Sequence, residues 1–325
     1  MSTRAQIGMT LACVAVFLCF WGVVIRNHNR TTGPGSDVTV YERYAEQVVL
    51  LGQAPYRNFS VEYPPGFLVP ALAPTATSNP GESGAYVRDF GRWMAGAGVA
   101  MIVLAALALG ALRARPAHFA AALGFMAITP VLLGGLMFAR FDLWATTLAI
   151  GGLAALLSGR DRTGGALIGA AIATKIWPAV LVPLGLVWVW RRYGRTAALR
   201  WLAIVVAVCA AFFIPFAVLA PGGLGHSFGL QLDRPLQIES LGSALLLFAH
   251  HAGGLAVSTS NSYGSQNLVA HGAKAVSIGS ALLQVLALSW PRLRRAGGPA
   301  ACGVRWGGGW SRGPRAAAEE RVEEV

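Results

Sequence analysis

The sequence predicts an all-α, polytopic transmembrane protein with an amphipathic helix in its first outer loop. Three observations predict it. Of the 325 residues, 55% are hydrophobic and only 12% charged, about half the charged share of an ordinary soluble domain. The apolar residues fall into long runs near the ~20 residues that a helix needs to cross a bilayer, and mean hydropathy is +0.54. Short arginine-rich links separate the runs, as cytoplasmic anchors do on a multi-pass chain. The formal charge of +12 therefore points to membrane lipids and the positive-inside bias, and away from nucleic acid.

The first span is expected at residues 7–25. No small-residue cleavage pattern follows Ile25, so it reads as an uncleaved anchor. Residues 26–89 are too polar to cross, apart from a short apolar piece at 67–72. Further spans are expected at 90–109, before Arg113 and Arg115, at 119–138, and at 143–157, before Arg160 and Arg162. Two more are expected at 201–219 and 276–290, the last followed by Arg292, Arg294 and Arg295.

Residues 164–190 are read as two short helices broken at Lys175-Ile176-Trp177-Pro178. A single crossing would set Arg160 and Arg162 on the opposite side from Arg191, Arg192 and Arg195, against the charge rule. A break returns the second group to the cytoplasm. Proline tolerates it because its nitrogen carries no hydrogen to satisfy, and a lysine at the tip reaches the headgroup level. The stretch 241–257 is apolar enough to cross, but a crossing there would put the last arginines outside, so it reads as interfacial or re-entrant. With the N-terminus and the C-terminal tail cytoplasmic, residues 26–89, 140–142, 175–177 and 221–272 share the outer face.

That face carries the chemistry. Asp37 precedes a stretch in which Val38, Tyr41, Tyr44, Ala45, Val48 and Val49 fall on one side at helical spacing. Two roles for it stay open and are compatible: the N-cap of a surface helix, or a general base acting on an acceptor hydroxyl. Glu62 and Tyr63 sit before Pro64 and Pro65, which impose an extended or turn backbone. They either stiffen the turn or line a cleft. Arg140 and Asp142 flank Phe141 in a short link, placed to snorkel or to meet a lipid phosphate and a sugar hydroxyl respectively. Lys175 is costly among apolar neighbours unless paired, solvated or used, and a compact ammonium suits phosphate. Trp177 beside it is a belt residue or a sugar-stacking surface. In the later loop, Asp233, Arg234 and Glu239 form either a structural network or a polar recognition surface, with Arg234 shaped for a phosphate.

Neither G-x-G-x-x-G after a strand nor a P-loop occurs. A sugar donor would therefore be lipid-borne. The histidines and cysteines lack metal-site spacing. No cofactor is certain from the sequence, and a divalent cation held by carboxylates remains open. Gly164, Gly165 and Gly169 read as helix-packing positions.

The Asp37 loop with its tyrosine-rich helix, GQAPYRNFSVEYPPG, GGALIGAAIATKIWPAVLVPL and DRPLQIES together resemble membrane-embedded glycosyltransferases of the GT-C type. They resemble in particular the actinobacterial glycosyltransferase family 87 branch, which includes polyprenyl-phosphate-mannose-dependent mannosyltransferases. The resemblance covers roughly residues 5–290. It implies an inverting transfer of mannose or another hexose from a polyprenyl-phosphate donor to a glycolipid or polysaccharide acceptor of the cell envelope. Asp37 takes the place of the first-loop base, and Lys175 that of a lysine before an aromatic-proline pair. Arg234 and Glu239 fall in the late-loop motif without separate roles.

Relatives continue with further helices beyond the equivalent of Trp290. Here the chain turns Gly- and Arg-rich. Residues 1–290 are thus expected to form a C-terminally shortened transmembrane glycosyltransferase-like domain, and 291–325 a disordered cytoplasmic tail. The alternatives to an enzyme are a transporter or flippase for lipid-linked glycans, or an inactive membrane scaffold.

Overall fold

A computed structural model of the chain describes residues 1–28, 37–82, 84–262 and 265–296. The described residues are predominantly helical, as the sequence predicts. α1 (Thr3–His28) is followed by the surface helix α2 (Asp37–Val49). The Pro-Pro turn then opens a 3-10 turn, Pro65–Phe67, and the short α3 (Leu68–Leu72). α4 (Ala85–Ala111) and α5 (Pro116–Leu133) are long and apolar. Proline opens α5 at a position where its missing amide hydrogen costs nothing.

The third expected span stops early. It ends at Leu133 because Gly134 turns the chain at φ 58, ψ −146, a conformation that side chains disfavour. The four-residue α6 (Leu136–Ala139) follows, and α7 (Asp142–Leu157) starts afresh. The broken pair is present as α8 (Asp161–Thr174), a 3-10 turn at Trp177–Val180, and α9 (Leu181–Tyr193). Next come α10 (Arg195–Leu219) and α11 (Pro221–Leu232).

Among the described residues, four helices are long and apolar enough to cross a membrane: Thr3–Arg26, Ala85–Ala111, Pro116–Leu133 and Arg195–Leu219. Asp142–Leu157 is a shorter apolar helix. Large side chains such as Leu11, Leu107, Phe125 and Val206 stand exposed on these helices. Lipid, not water, is the solvent that suits such a surface. Helix contacts use small residues, since lipid tails offer no competing hydrophobic drive. A Cβ on Gly164 would lie 3.0 Å from the carbonyl oxygen of Gly152, so α7 and α8 meet backbone to backbone.

The chain forms two compact units, Met1–Arg234 and Pro235–Val325. In the second, α12 (Leu241–Gly253) is capped by Ser240, whose hydroxyl accepts from the Ser243 amide at 3.1 Å. β1 (Val257–Ser262) and β2 (Ser265–Ala270) pair antiparallel, with Val257 opposite Ala270. The backbone of Leu236 and Ile238 adds to the far edge of β2, through Leu268 N–H to Leu236 O and Ile238 N–H to Gln266 O. This small sheet was not expected from the sequence. α13 (Ala273–Ala296) closes the described chain. The remainder of the tail expected from residue 291 lies outside the described residues.

Candidate active site

The α2 helix buries Val38, Tyr41, Tyr44 and Ala45, while Val49 is exposed. Its apolar stripe thus covers the first three turns and frays at the last. Asp37 is the first residue of α2, where the helix dipole favours a negative charge. Its Oδ2 lies 2.9 Å from Nε of Arg140. Arg140 has extended backbone, φ −127 and ψ 145, because α6 ends before it and α7 begins two residues later.

Asp142 opens α7, again in the first turn. Its carboxylate forms an ion pair with the Lys175 ammonium. Lys175 terminates α8 in extended conformation, φ −152 and ψ 138, so the chain break directs the amine at the start of α7. Phe141, between Arg140 and Asp142, is buried, and the ammonium of Lys175 stands 5.2 Å from its ring centroid, within cation–π reach.

Beneath these charges lies an aromatic floor. The Phe141 ring is 4.7 Å from Phe67, 4.9 Å from Tyr63 and 5.8 Å from Tyr41. Tyr41 also packs on Phe67 at 5.0 Å and on Phe90 of α4 at 5.4 Å. The 3-10 turn reaches this floor because Gly66 presses on the end of α8. A Cβ there would sit 2.6 Å from the carbonyl carbon of Ala173 and 2.7 Å from the amide nitrogen of Thr174.

The Tyr41 and Tyr63 hydroxyls hydrogen-bond to each other. Burial first, then the neighbouring Tyr63, Asp37 and Asp142, holds the Tyr41 phenol far above its ordinary range. Burial and then Asp37 raise Tyr63 likewise. Both remain neutral hydrogen-bonding groups next to two carboxylates. Tyr44 is pushed up to about 12, by burial and then by the charge of Glu62.

Glu62 is half-buried, and its carbonyl accepts from Gln231 Nε2 at 2.8 Å. The Tyr63 carbonyl accepts from the Tyr56 hydroxyl at 2.5 Å. These bonds dock α11 and the 54–58 turn on the segment that carries Glu62 and Tyr63. Asp233 and Arg234 follow the end of α11, the first exposed and the second half-buried. Glu239 is exposed and belongs to the second unit. Trp177 is 45% exposed on the 3-10 turn after Lys175.

Of the expected site residues, Asp37, Arg140, Asp142, Lys175 and Tyr63 therefore form one cluster, with Glu62 adjoining it through Tyr44. The floor residues Phe67, Phe90 and Phe141 were not singled out from sequence. Of the floor, Tyr41 carried a signal in its place on the buried stripe of α2, and Tyr63 in its place before Pro64 and Pro65. The cluster offers carboxylates able to take a proton, cations able to hold an anion, and aromatic faces suited to a sugar.

A separate apolar cleft of about 520 Å³ lies between α4 and α7, lined among others by Thr77, Asp89, Arg92, Trp93, Trp144 and Thr147. The Asp89 carboxylate there accepts from Thr77 Oγ1 at 2.7 Å and from Arg92 Nη1 at 2.6 Å. Among the described residues no group of three His, Cys, Asp or Glu side chains is gathered as a metal-binding set.

The sequence model described as glycosyltransferase family 87 matches residues 61–306. No curated protein and no solved structure matches the chain.

Proposed function

The chain belongs to glycosyltransferase family 87, and we propose that this membrane glycosyltransferase moves a hexose, mannose in the first instance, from a polyprenyl-phosphate donor to a cell-envelope glycolipid or polysaccharide. The reaction is assigned to the outer face of the membrane, with the arginine-rich links between the spans on the cytoplasmic side.

The observation that carries this reading is the pairing of Asp37 with Arg140 and of Asp142 with Lys175 around one aromatic floor. Transfer of a sugar from a lipid phosphate needs a base for the acceptor and fixed positive charge for the departing phosphate. Asp37 accepts the proton of the acceptor hydroxyl. That oxygen attacks the anomeric carbon, and the bond from the anomeric carbon to the phosphate oxygen breaks with its electron pair going to the phosphate. Lys175 and Arg140 hold the charge that grows there, with Arg234 as a further phosphate contact. The proton leaves Asp37 to solvent as products depart. Attack opposite the leaving phosphate inverts the anomeric centre. Glu62, Tyr63, Asp142, Trp177 and Asp233 are assigned to the lining that receives the sugar and the acceptor.

Membranes holding the protein, given radiolabelled polyprenyl-phosphate mannose, test the reading. The wild type is expected to label an envelope acceptor. Asp37→Asn is expected to lose about 10²–10⁴-fold in rate, the usual worth of a general base. Equal product from both removes Asp37 as the base. Donor left intact by the wild type removes the donor assignment.

A further inference from the structure

We infer that Arg140 is a latch on Asp37 that the donor phosphate releases. Without donor, the guanidinium holds the carboxylate. An incoming lipid phosphate takes the guanidinium over and frees Asp37 for the acceptor hydroxyl. The inference rests on the reading of Asp37 as base, and it adds an order to the reaction: the donor must enter before the base is available.

The argument starts from charge. The cluster holds two carboxylates, Asp37 and Asp142, and two cations, Arg140 and Lys175, joined as two pairs. As it stands it is formally neutral, and each cation already faces a carboxylate. A phosphate anion gains from these cations only as the carboxylates give way.

Exposure then decides whether exchange is affordable on the time of a reaction. The side chains of Arg140 and Asp37 are 34% and 39% exposed, and those of Lys175 and Asp142 are 36% and 45% exposed. Ion pairs this open hold their partners by a few-fold, up to about fivefold. A fully buried pair would resist exchange far more strongly. Phosphate, like a carboxylate, can meet the planar guanidinium fork with two parallel hydrogen bonds, so it can stand in for Asp37.

Geometry assigns the latch to Arg140 and not to Lys175. Arg140 Nε contacts Oδ2 of Asp37 itself, so an acceptor hydroxyl that approaches along that direction competes with the guanidinium. Lys175 contacts Asp142, so its release frees a different carboxylate. Arg140 also sits in extended backbone between two helices.

The test reads Asp37 directly and requires no transfer. Purified protein in detergent is treated with a water-soluble carbodiimide and glycine ethyl ester, and the modification of Asp37 is measured by peptide mass spectrometry. Farnesyl phosphate and inorganic phosphate serve as the phosphate probes, with farnesol as the uncharged control. Farnesyl phosphate is expected to raise Asp37 modification by up to about fivefold, and farnesol to leave it unchanged. Inorganic phosphate acting as strongly as farnesyl phosphate would assign the release to phosphate charge alone, and a response to the lipid phosphate only would assign it to the lipid-anchored form; either supports the latch. Arg140→Gln should show high Asp37 modification without any probe, and Arg140→Lys should restore part of the response. Unchanged or reduced modification with farnesyl phosphate, an equal rise with farnesol, or a low value in Arg140→Gln overturns the latch. Transfer activity with unchanged modification removes the latch alone. A phosphate-driven rise in a protein that transfers no hexose removes the proposed reaction and leaves the latch.

Discussion

Lys175 and Asp142 meet as an ion pair between the end of α8 and the first turn of α7, with the ring of Phe141 under the ammonium. Two helix ends, neither of which is itself a binding motif, thereby point opposite charges at one place. Because both side chains are more than a third exposed, the pair contributes only about 0–1 kcal/mol to stability. Lys175→Met is therefore expected to unfold within a few degrees of the wild type. Hexose transfer should nevertheless fall by about 10²–10³-fold, the typical loss when one fixed charge-stabilising group is removed. Thermal unfolding in detergent beside the labelled-donor assay separates the two effects. A large drop in unfolding temperature with little loss of transfer would make Lys175 structural.

Gly66→Ala tests how the Pro-Pro turn is held against α8. The added Cβ meets the carbonyl carbon of Ala173 at 2.6 Å and the amide nitrogen of Thr174 at 2.7 Å. These are backbone atoms, so no side chain can swing aside. Overpacking of this kind costs about 1–3 kcal/mol. The shift falls on Phe67 and on the residue before Lys175, so transfer should drop with stability. An unfolding temperature equal to the wild type would show that the turn and α8 do not press together.

How much of this was legible follows from where each signal lives. The stripe Val38, Tyr41, Tyr44 and Ala45 repeats locally, so α2 could be read from sequence. The break before Trp177-Pro178 could also be read, because proline chemistry and the arginine balance both act over short stretches. The partner of Arg140 could not. Arg140 was expected at a lipid phosphate or snorkelling, and its contact with Asp37 depends on α2 folding over the link before α7. Phe67, Phe90 and Phe141 looked like any other aromatic in an apolar run, and only packing gathers them. Gly134 carried a weak signal, the Gly-Gly pair at 134–135, that the surrounding hydropathy outweighed. The hairpin at Val257–Ala270 is rich in serine and asparagine, and its pairing with Leu236 and Ile238 has no local mark.

Glu42 provides a pH-dependent test of the surface helix. Burial, the largest cause, raises its carboxyl above the ordinary 4.5, the Gly81 amide opposes this, and Glu46 adds to it. The Gly81 N–H donates to Glu42 Oε1 at 3.3 Å. A raised value means that the folded protein binds the proton more tightly than the unfolded chain does. Stability therefore falls as pH rises from about 4.5 through the raised folded value, and the loss is complete above it. Glu42→Gln keeps an oxygen for Gly81 and removes the charge. It should unfold at a higher temperature than the wild type near neutral pH, and the two should converge below pH 4.5. A difference that stays constant across that range would locate the effect in packing and not in the proton.

Gly223 and Gly225 make a paired test of how α11 supports the site. Both lie in α11 (Pro221–Leu232), so alanine gains about 0.5–1 kcal/mol of helix preference at either position. A Cβ at Gly225 meets nothing within 4 Å, whereas one at Gly223 would fall 1.8 Å from the carbonyl oxygen of Tyr56. Tyr56 cannot easily retreat. Its backbone is held at φ 65, its ring packs on Phe216 of α10 at 5.0 Å, and its hydroxyl donates to the Tyr63 carbonyl. Gly225→Ala is therefore expected to match or exceed the wild type in unfolding temperature and to leave transfer intact. Gly223→Ala should lose about 1–3 kcal/mol and carry Tyr63 out of place, lowering transfer as well. The helix gain is common to both variants, so their difference reports the contact with Tyr56 alone. Equal behaviour of the two would separate α11 from the turn at Tyr56 and remove its support from the Glu62–Tyr63 segment.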